Sequence, residues 1–409
     1  MDQFRPKECE AQCIGASINM YTMIIMVLIA FAAATAFASR NDSNIDVRFD
    51  FKDELHRLGL LHKLVPFDQN KIHTLEKERC KVYNVHVSRW APHSIRYPAG
   101  IACLCDWILA GPSFYGTKKD PKYIFVATRE LYLLDKIIDS IKHPFVLISA
   151  INDETIPINK DIRISLPQGF TEKVEDGLWP RLVNHPKIIH WFLENHSVSH
   201  PKVSTLPIGF VANSRDGTTE PDVTYADLMA GFARAGKWEA RRTLVLNTDR
   251  VRDGQGQWHD RAVIHKLCKA NPLCSISFEM VANQFTQKRH EYDEKSFISH
   301  VTNAKFVIMA HGGGMDPSPK LMHCIVLGAI PIIESNTLDD AYSQFPVVII
   351  PSLEKFLDPN RVEESKVLLE EWSQKYAPYY EKNSALRNET LHILTEEYWW
   401  GKITAYGNK

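Results

Sequence analysis

The chain has 409 residues, room for about two domains at the usual size of a folding unit. Lys and Arg number 48 against 49 Asp and Glu, and the net charge of -1 excludes a chain-wide basic field for nucleic acid. Apolar residues at 44% and charged ones at 24% are ordinary for a globular protein.

In chain order the first feature is Tyr21 to Ala38, an uncharged apolar run of 18 residues. At a rise of about 1.5 Å per residue it nearly spans a bilayer core, at the short end of transmembrane helices. Short spans suit the thinner membranes of the early secretory pathway. The small-x-small form of Ala36-Phe37-Ala38 leaves a cleaved signal peptide open, but the preceding residues 1–20, with Glu8 and Glu10, favour an uncleaved signal-anchor. Residues 1–20 are thus read as a cytoplasmic tail, 21–38 as the anchor and the polar 39–82 as a stem. Arg5 and Lys7 before the run are matched by Arg40 and Arg48 after it, so flanking charge fixes no orientation. The expectation is a single-pass type II protein of the Golgi membrane, with the endoplasmic reticulum as alternative and the body in the lumen. Sequons at Asn41, Asn195 and Asn388 are compatible with that placement. Six cysteines follow the anchor. Cys268 and Cys274 bracket a helix-to-strand turn able to hold a disulfide in an oxidising compartment, and Cys80 has Cys103 or Cys105 as a partner. No Cys/His spacing reads as a metal site.

Residues 83–238 are predicted to form a first domain, opening near Tyr83 to Val87. Its clearest unit is Tyr123 to Ala127, an amphipathic helix from Leu131 to Ile141, then Phe145 to Ser149. Strand, helix and strand at this spacing give a parallel pair with a crossover. Further strands are expected at Ile162 to Ser165 and Val203 to Ile208, with a helix near Ile188 to Glu194.

The basic turn Arg241-Arg242 leads into a second domain, 239–352, with strands at 243–247, 275–280, 306–310, 330–333 and 347–350. Helices are expected at about 258–270, 294–302 and 319–327. Such alternation means a doubly wound parallel sheet that binds ligands at the carboxyl ends of its strands. The tail, 353–409, reads as helical. Its aromatic residues, including Trp372, Tyr380, Trp399 and Trp400, are expected to pack across both domains.

Between strand 306–310 and its following helix runs His311-Gly312-Gly313-Gly314-Met315-Asp316-Pro317-Ser318-Pro319-Lys320. Glycines allow close approach of backbone N–H groups to a ligand, and a helix start offers unpaired donors, a pairing suited to a diphosphate. The donor-site candidates are therefore the amides of Gly312, Gly313 and Gly314, with His311 and Lys320. Arg250 and Arg252 follow the domain's first strand, Arg261 heads the next helix, and Glu334 lies one residue past the fourth strand, placed to accept ribose or sugar hydroxyls. In the first domain Asp153, beyond Phe145 to Ser149, is the candidate general base, preferred to Glu154. A third reading, an oxidoreductase binding a dinucleotide, would need Gly-x-Gly-x-x-Gly after a first strand, and the loop after Ala127 has no glycine.

The segment Phe306 to Ile350 resembles the C-terminal domain of exostosin-like glycosyltransferases, in Phe306-Val307-Ile308, His311 to Gly314, Lys320-Leu321-Met322-His323 and Leu327-Gly328-Ala329-Ile330-Pro331-Ile332. Leu338 to Tyr342 and Phe345 to Ile350 are also similar in order, as are Trp191 to Asn195 and Leu206 to Gly209 upstream. The resemblance covers roughly 120 to 409. It implies an α/β fold of two Rossmann-like parallel-sheet domains, the GT-B type. It also implies inverting transfer of a sugar from a nucleotide-diphosphate donor to a glycan or glycoprotein acceptor. Asn195 would then lie in the cleft on the acceptor side, which competes with its glycosylation, and Arg261 matches a basic position of similar sequences. The chain contains no Asp-x-Asp, so no metal or other cofactor is expected, and basic groups would stabilise the leaving diphosphate. Two positions depart from the family: its Arg is Lys320, which loses bidentate geometry, and its Glu is His323. The second keeps open a membrane-anchored, carbohydrate-binding relative without turnover.

Overall fold

The runs Tyr123 to Ala127 and Phe145 to Ala150 show little polar alternation, so as strands they need cover on both faces. The computed structural model describes residues 88–89, 100–110, 113–116, 120–150, 154–158, 177–211, 225–251, 256–277 and 294–407. All belong to one compact unit, Phe51–Lys409. Tyr21 to Ala38, the stem, the opening strand at Tyr83 to Val87 and Ile162 to Ser165 lie outside the described residues. Among the described residues no helix is long and apolar enough to cross a membrane.

The first lobe is a six-stranded sheet, with strands β2 (Trp107–Ala110), β3 (Ser113–Gly116), β4 (Tyr123–Ala127), β5 (Phe145–Ala150), β6 (Ile188–Leu193) and β7 (Val203–Thr205) in the order β3-β2-β4-β5-β6-β7. Only the β2–β3 pair is antiparallel. Every residue of β5 is buried, as a central strand covered on both sides requires. Helix α1 (Leu131–Ile137) is the crossover from β4 to β5 and turns Leu131, Leu134 and Ile137 inward. A short parallel pair, β1 (Ser88–Arg89) with β8 (Phe210–Val211), stands apart from it.

The helix expected near Ile188 to Glu194 is instead strand β6. Six apolar-rich residues have no readable period, and the β-branched Ile188-Ile189 and the aromatic Trp191-Phe192 favour extended chain. This correction places Glu194 and Asn195 at the carboxyl end of a strand.

The second lobe is an all-parallel sheet of β9 (Thr243–Asn247), β10 (Cys274–Ile276), β11 (Ala304–Met309), β12 (Ile330–Glu334) and β13 (Val348–Ile350), in the order β10-β9-β11-β12-β13. The chain leaves β9 for β10 on one side and returns to β11 on the other. The gap between the carboxyl ends of β9 and β11 is therefore the topological switch point. Helices α2 (Trp179–Asn184), α3 (Tyr225–Arg234), α4 (Gln257–Ala270), α5 (Glu294–Thr302) and α6 (Lys320–Leu327) cover the sheets. Cys268 in α4 and Cys274 in β10 are joined by a disulfide.

Helix α6 is nearly all core: six of its eight residues are buried. Its last carbonyls have no intrahelical donors, and two guanidiniums meet them. Arg387 donates to Ile325 O at 2.7 Å and Val326 O at 2.6 Å and lies 4.2 Å over the Phe232 ring. Arg241 reaches Leu327 O at 3.4 Å and Ala304 O at 2.8 Å, and burial lowers its pKa to about 10. Gly328 then turns the chain at φ 78; a Cβ there would meet Phe232 Cε2 at 2.6 Å and Arg241 Nη2 at 2.7 Å.

Arg387 comes from the tail, in α7 (Ala385–Ile393). The last helix, α8 (Glu396–Gly407), spans both lobes. Tyr406 stacks on His190 at 3.8 Å and Trp400 meets Tyr123 at 4.9 Å in the first lobe. Tyr398 donates to Gln344 Oε1 at 2.9 Å in the second. Replacing Arg387 by Met removes two charge-assisted bonds to the end of α6, each worth about 1.5–3 kcal/mol. Urea unfolding should show a loss of roughly 3 kcal/mol; a loss below about 1 kcal/mol would contradict this role.

Candidate functional site

The carboxyl ends of β9 and β11 carry the second lobe's polar chemistry. β9 ends on Asn247 and is followed by Thr248 and Asp249, all three buried, then exposed Arg250. Asn247 Oδ1 accepts from Asp249 N at 2.8 Å, folding the turn on itself, and Asp249 Oδ2 accepts from Ala310 N at 3.0 Å, tying it to the end of β11. Lys320, the first residue of α6, donates from Nζ to Thr248 O at 2.7 Å. Its pKa falls to about 8, chiefly through burial, opposed by Asp249 and reinforced by Arg261 and Arg250. The four charges thus sit within reach of one another.

Arg261, buried in the second turn of α4 and not at its head, donates to His311 O at 2.9 Å and lies 5.4 Å from the Trp258 ring. His311 Nδ1 faces the carbonyls of Gly312 and Gly314, both at 3.0 Å, so Nδ1 carries the proton. Its Nε2 lies 2.9 Å from Asp260 Oδ2, an ion pair when the ring is protonated. His323 shares a face of α6 with Lys320. Burial, then the Lys320 charge, holds its pKa down to about 4, so near neutral pH it is an uncharged imidazole.

The glycine turn is not the open anion cradle that the sequence suggested. Gly312, Gly313 and Gly314 are buried, and Gly312 N donates to Asp316 O at 2.6 Å. None of the three has positive φ. Gly312 serves close packing, since a Cβ there would lie 3.0 Å from Asp316 Oδ1. The turn is stitched to the first lobe by Asn195. Its Oδ1 accepts from Met315 N and Asp316 N, both at 3.0 Å, and its Nδ2 donates to Asp316 Oδ2 at 3.2 Å. Asn195 is therefore neither a glycosylation site in the folded protein nor an open acceptor contact, because burial and three bonds occupy its amide. Asn388 is exposed on α7.

More bonds extend this seam. Thr205 N donates to Asp340 Oδ2 at 3.1 Å, the Thr205 hydroxyl bonds Asp340 Oδ1, and His196 Nε2 lies 2.9 Å from Thr205 Oγ1. Burial lowers the pKa of His196. Glu334 is exposed and its Oε2 accepts from Leu353 N at 2.9 Å, so the sugar-hydroxyl role is replaced by a helix cap. Asp153, Arg252 and Asn41 lie outside the described residues. Glu154, passed over in favour of Asp153, is buried and ion-paired with Arg129. Sequence reasoning missed Asn247, Asp249, Asp260 and Asp316. The polar run Asn247-Thr248-Asp249 directly after an apolar strand was the available signal.

No family model matches the chain, and no curated protein matches it either. Among solved structures it is similar to a GtfA/B complex, with TM-score 0.34 and 10% identity over 70% of this chain and 57% of that one. It is similar to Arabidopsis thaliana UGT89C1 complexed with UDP, at 0.28 and 13% over 68% and 73%. It is also similar to the pneumococcal O-GlcNAc transferase GtfA in complex with UDP and GlcNAc, at 0.28 and 12% over 69% and 56%. The chain thus spans little more than half the length of the first and third. Likenesses of this size assign neither family nor activity.

Two outcomes follow from the geometry. Asn195→Ala removes one donor from the Asp316 carboxylate and the acceptor of the Met315 and Asp316 amides, and should lower unfolding stability by about 2–3 kcal/mol; an unchanged urea midpoint would count against the seam. An unfolded His titrates near 6.5 while folded His323 titrates near 4, so the unfolded chain binds the extra proton between them. Stability is full above about pH 6.5 and should drop by about 1–2 kcal/mol by pH 5. His323→Gln should shrink that drop in denaturant titrations at the two pH values.

Proposed function

We propose that this chain is a glycosyltransferase of GT-B type that takes a nucleotide-diphosphate sugar at the switch point of its second sheet. The supporting observation is the convergence of Lys320, Arg250 and Arg261 on the carboxyl ends of β9 and β11. Cleavage of a glycosyl–phosphate bond leaves negative charge on the departing nucleoside diphosphate, and pre-placed cations stabilise it. In this reading the cationic side chains replace the glycine amides as the seat, and no metal is required. The acceptor, a glycan or glycoprotein, enters from the first lobe, with Asp153 as base in an inverting transfer of the exostosin-like kind. The disulfide Cys268–Cys274 and the exposed Asn388 support a body in the Golgi lumen, anchored as a type II protein by Tyr21 to Ala38.

A second reading, a carbohydrate-binding relative without turnover, is favoured by one observation: a neutral imidazole at His323 stands where the family has a carboxylate. Calorimetry with UDP and GDP should show binding that Lys320→Ala weakens by at least tenfold. Affinity should fall as pH rises through about 8, where Lys320 loses its proton, and Lys320→Arg should remove that dependence. No binding of UDP or GDP at any pH would sink the transferase reading. Nucleotide release from sugar donors with mixed glycan acceptors, followed by mass spectrometry of products, separates the enzyme from the binder.

A further inference from the structure

The turn after β9 holds a concentration of buried polar atoms without partners. Among the described residues, Asn247 Nδ2, Thr248 Oγ1 and Asp249 Oδ1 make no hydrogen bond, and neither does Arg261 Nε in the helix that follows. The four residues are 1%, 0%, 2% and 8% exposed. Buried polar groups in native proteins are almost always satisfied, so several orphans in one turn point to a polar group that the folded chain does not itself supply. Their types are complementary: Asn247 offers a donor, Asp249 an acceptor, Thr248 either, and Arg261 a cationic donor.

A bare polyphosphate matches only part of this set. Lys320, Arg250 and Arg261 would take its oxygens, but Asp249 Oδ1 would face it as like charge. A hydroxyl, by contrast, donates to Asp249 and accepts from Asn247 at once. We infer that the Asn247-Thr248-Asp249 turn is a specificity element that reads a hydroxyl carried by a phosphate ester, so that the site takes a hydroxyl-bearing nucleoside diphosphate or sugar phosphate and rejects inorganic pyrophosphate. The inference rests on the proposed nucleotide-sugar site and narrows its ligand. Asp249 also ties β9 to β11 through Ala310 N, so the reader of the hydroxyl shares a rigid support with the phosphate seat.

The hydroxyl has two chemical sources, ribose or the transferred sugar, and the test separates them. Calorimetry on the full chain would compare inorganic pyrophosphate, UDP, 2′,3′-dideoxy-UDP and glucose 1-phosphate. UDP should bind at least tenfold tighter than pyrophosphate. Asp249→Asn, which keeps an acceptor for Ala310 N, should erase that preference while leaving or raising pyrophosphate affinity. Loss of the preference with dideoxy-UDP assigns the hydroxyl to ribose. Equal affinity for UDP and dideoxy-UDP, with glucose 1-phosphate bound in an Asp249-dependent way, assigns it to the sugar. The dideoxy arm uses unaltered protein, so a poorly folded variant does not blunt that part of the test. Equal binding of UDP and pyrophosphate together with glucose 1-phosphate binding that does not depend on Asp249, or an unchanged ratio in a folded Asp249→Asn, overturns this inference and leaves the phosphate seat standing. Binding of none of the four overturns both.

Discussion

Helix α6 is fixed at both ends, and the candidate site depends on that. At its start Lys320 is held against Thr248 O; at its end Arg387 and Arg241 take the last carbonyls. A buried helix whose final carbonyls met no donors would forfeit their hydrogen bonds to water without replacement, so the guanidiniums set where the rod stops. An eight-residue helix spans about 12 Å, and a shift at one end is delivered to the other. The tail that supplies Arg387 therefore acts on the site without touching it. That is a physical reason for a long aromatic tail to cross back over both lobes.

The glycine turn shows how one motif serves a different end from its usual one. Gly312 is small because the Asp316 carboxylate lies where a Cβ would go, and Asp316 is there because Asn195 of the other lobe bonds it. Three bonds from a single buried amide make this a directional contact between the lobes, unlike an apolar one that could slide. The Thr205–Asp340 pair repeats the arrangement one strand over. Relative movement of the lobes must therefore break buried polar bonds in a group, which favours two discrete arrangements over a continuous range.

Much of the second lobe was legible because its strands are short apolar runs separated by helices with readable periodicity. Glu294 to Thr302 and Lys320 to Leu327 show this, the latter ending at a left-handed glycine. Ile188 to Leu193 was misread because six apolar-rich residues satisfy strand and helix equally, and only a partner strand on each side decides between them. At the site, sequence named the cations but misassigned the glycines. Charge type and strand-end position are local properties, whereas the closing of the glycine turn depends on the Asp316 carbonyl taking Gly312 N and on Asn195, about 120 positions away, taking the two amides that follow the glycines. Glu334 failed for the same reason: its carboxylate is taken by the first amide of the next helix.

The site's charge balance also bears on what it can bind. Lys320, Arg250 and Arg261 stand against Asp249, while Asp260 is turned toward His311. Burial disfavours a charged lysine, Asp249 favours it, and the two neighbouring guanidiniums oppose it, so part of the cluster's field is repulsion. An arriving dianion relieves that repulsion, whereas a neutral sugar does not. His323 contributes by remaining uncharged beside Lys320: a carboxylate there would already neutralise the lysine and weaken its hold on phosphate. A neutral histidine at this place thus leaves the local field tilted toward anion capture. It also gives up an acceptor for hydroxyls at that place, and the unpartnered carboxylate oxygen of Asp249, whose charge acts on the same lysine, is the group available to supply one.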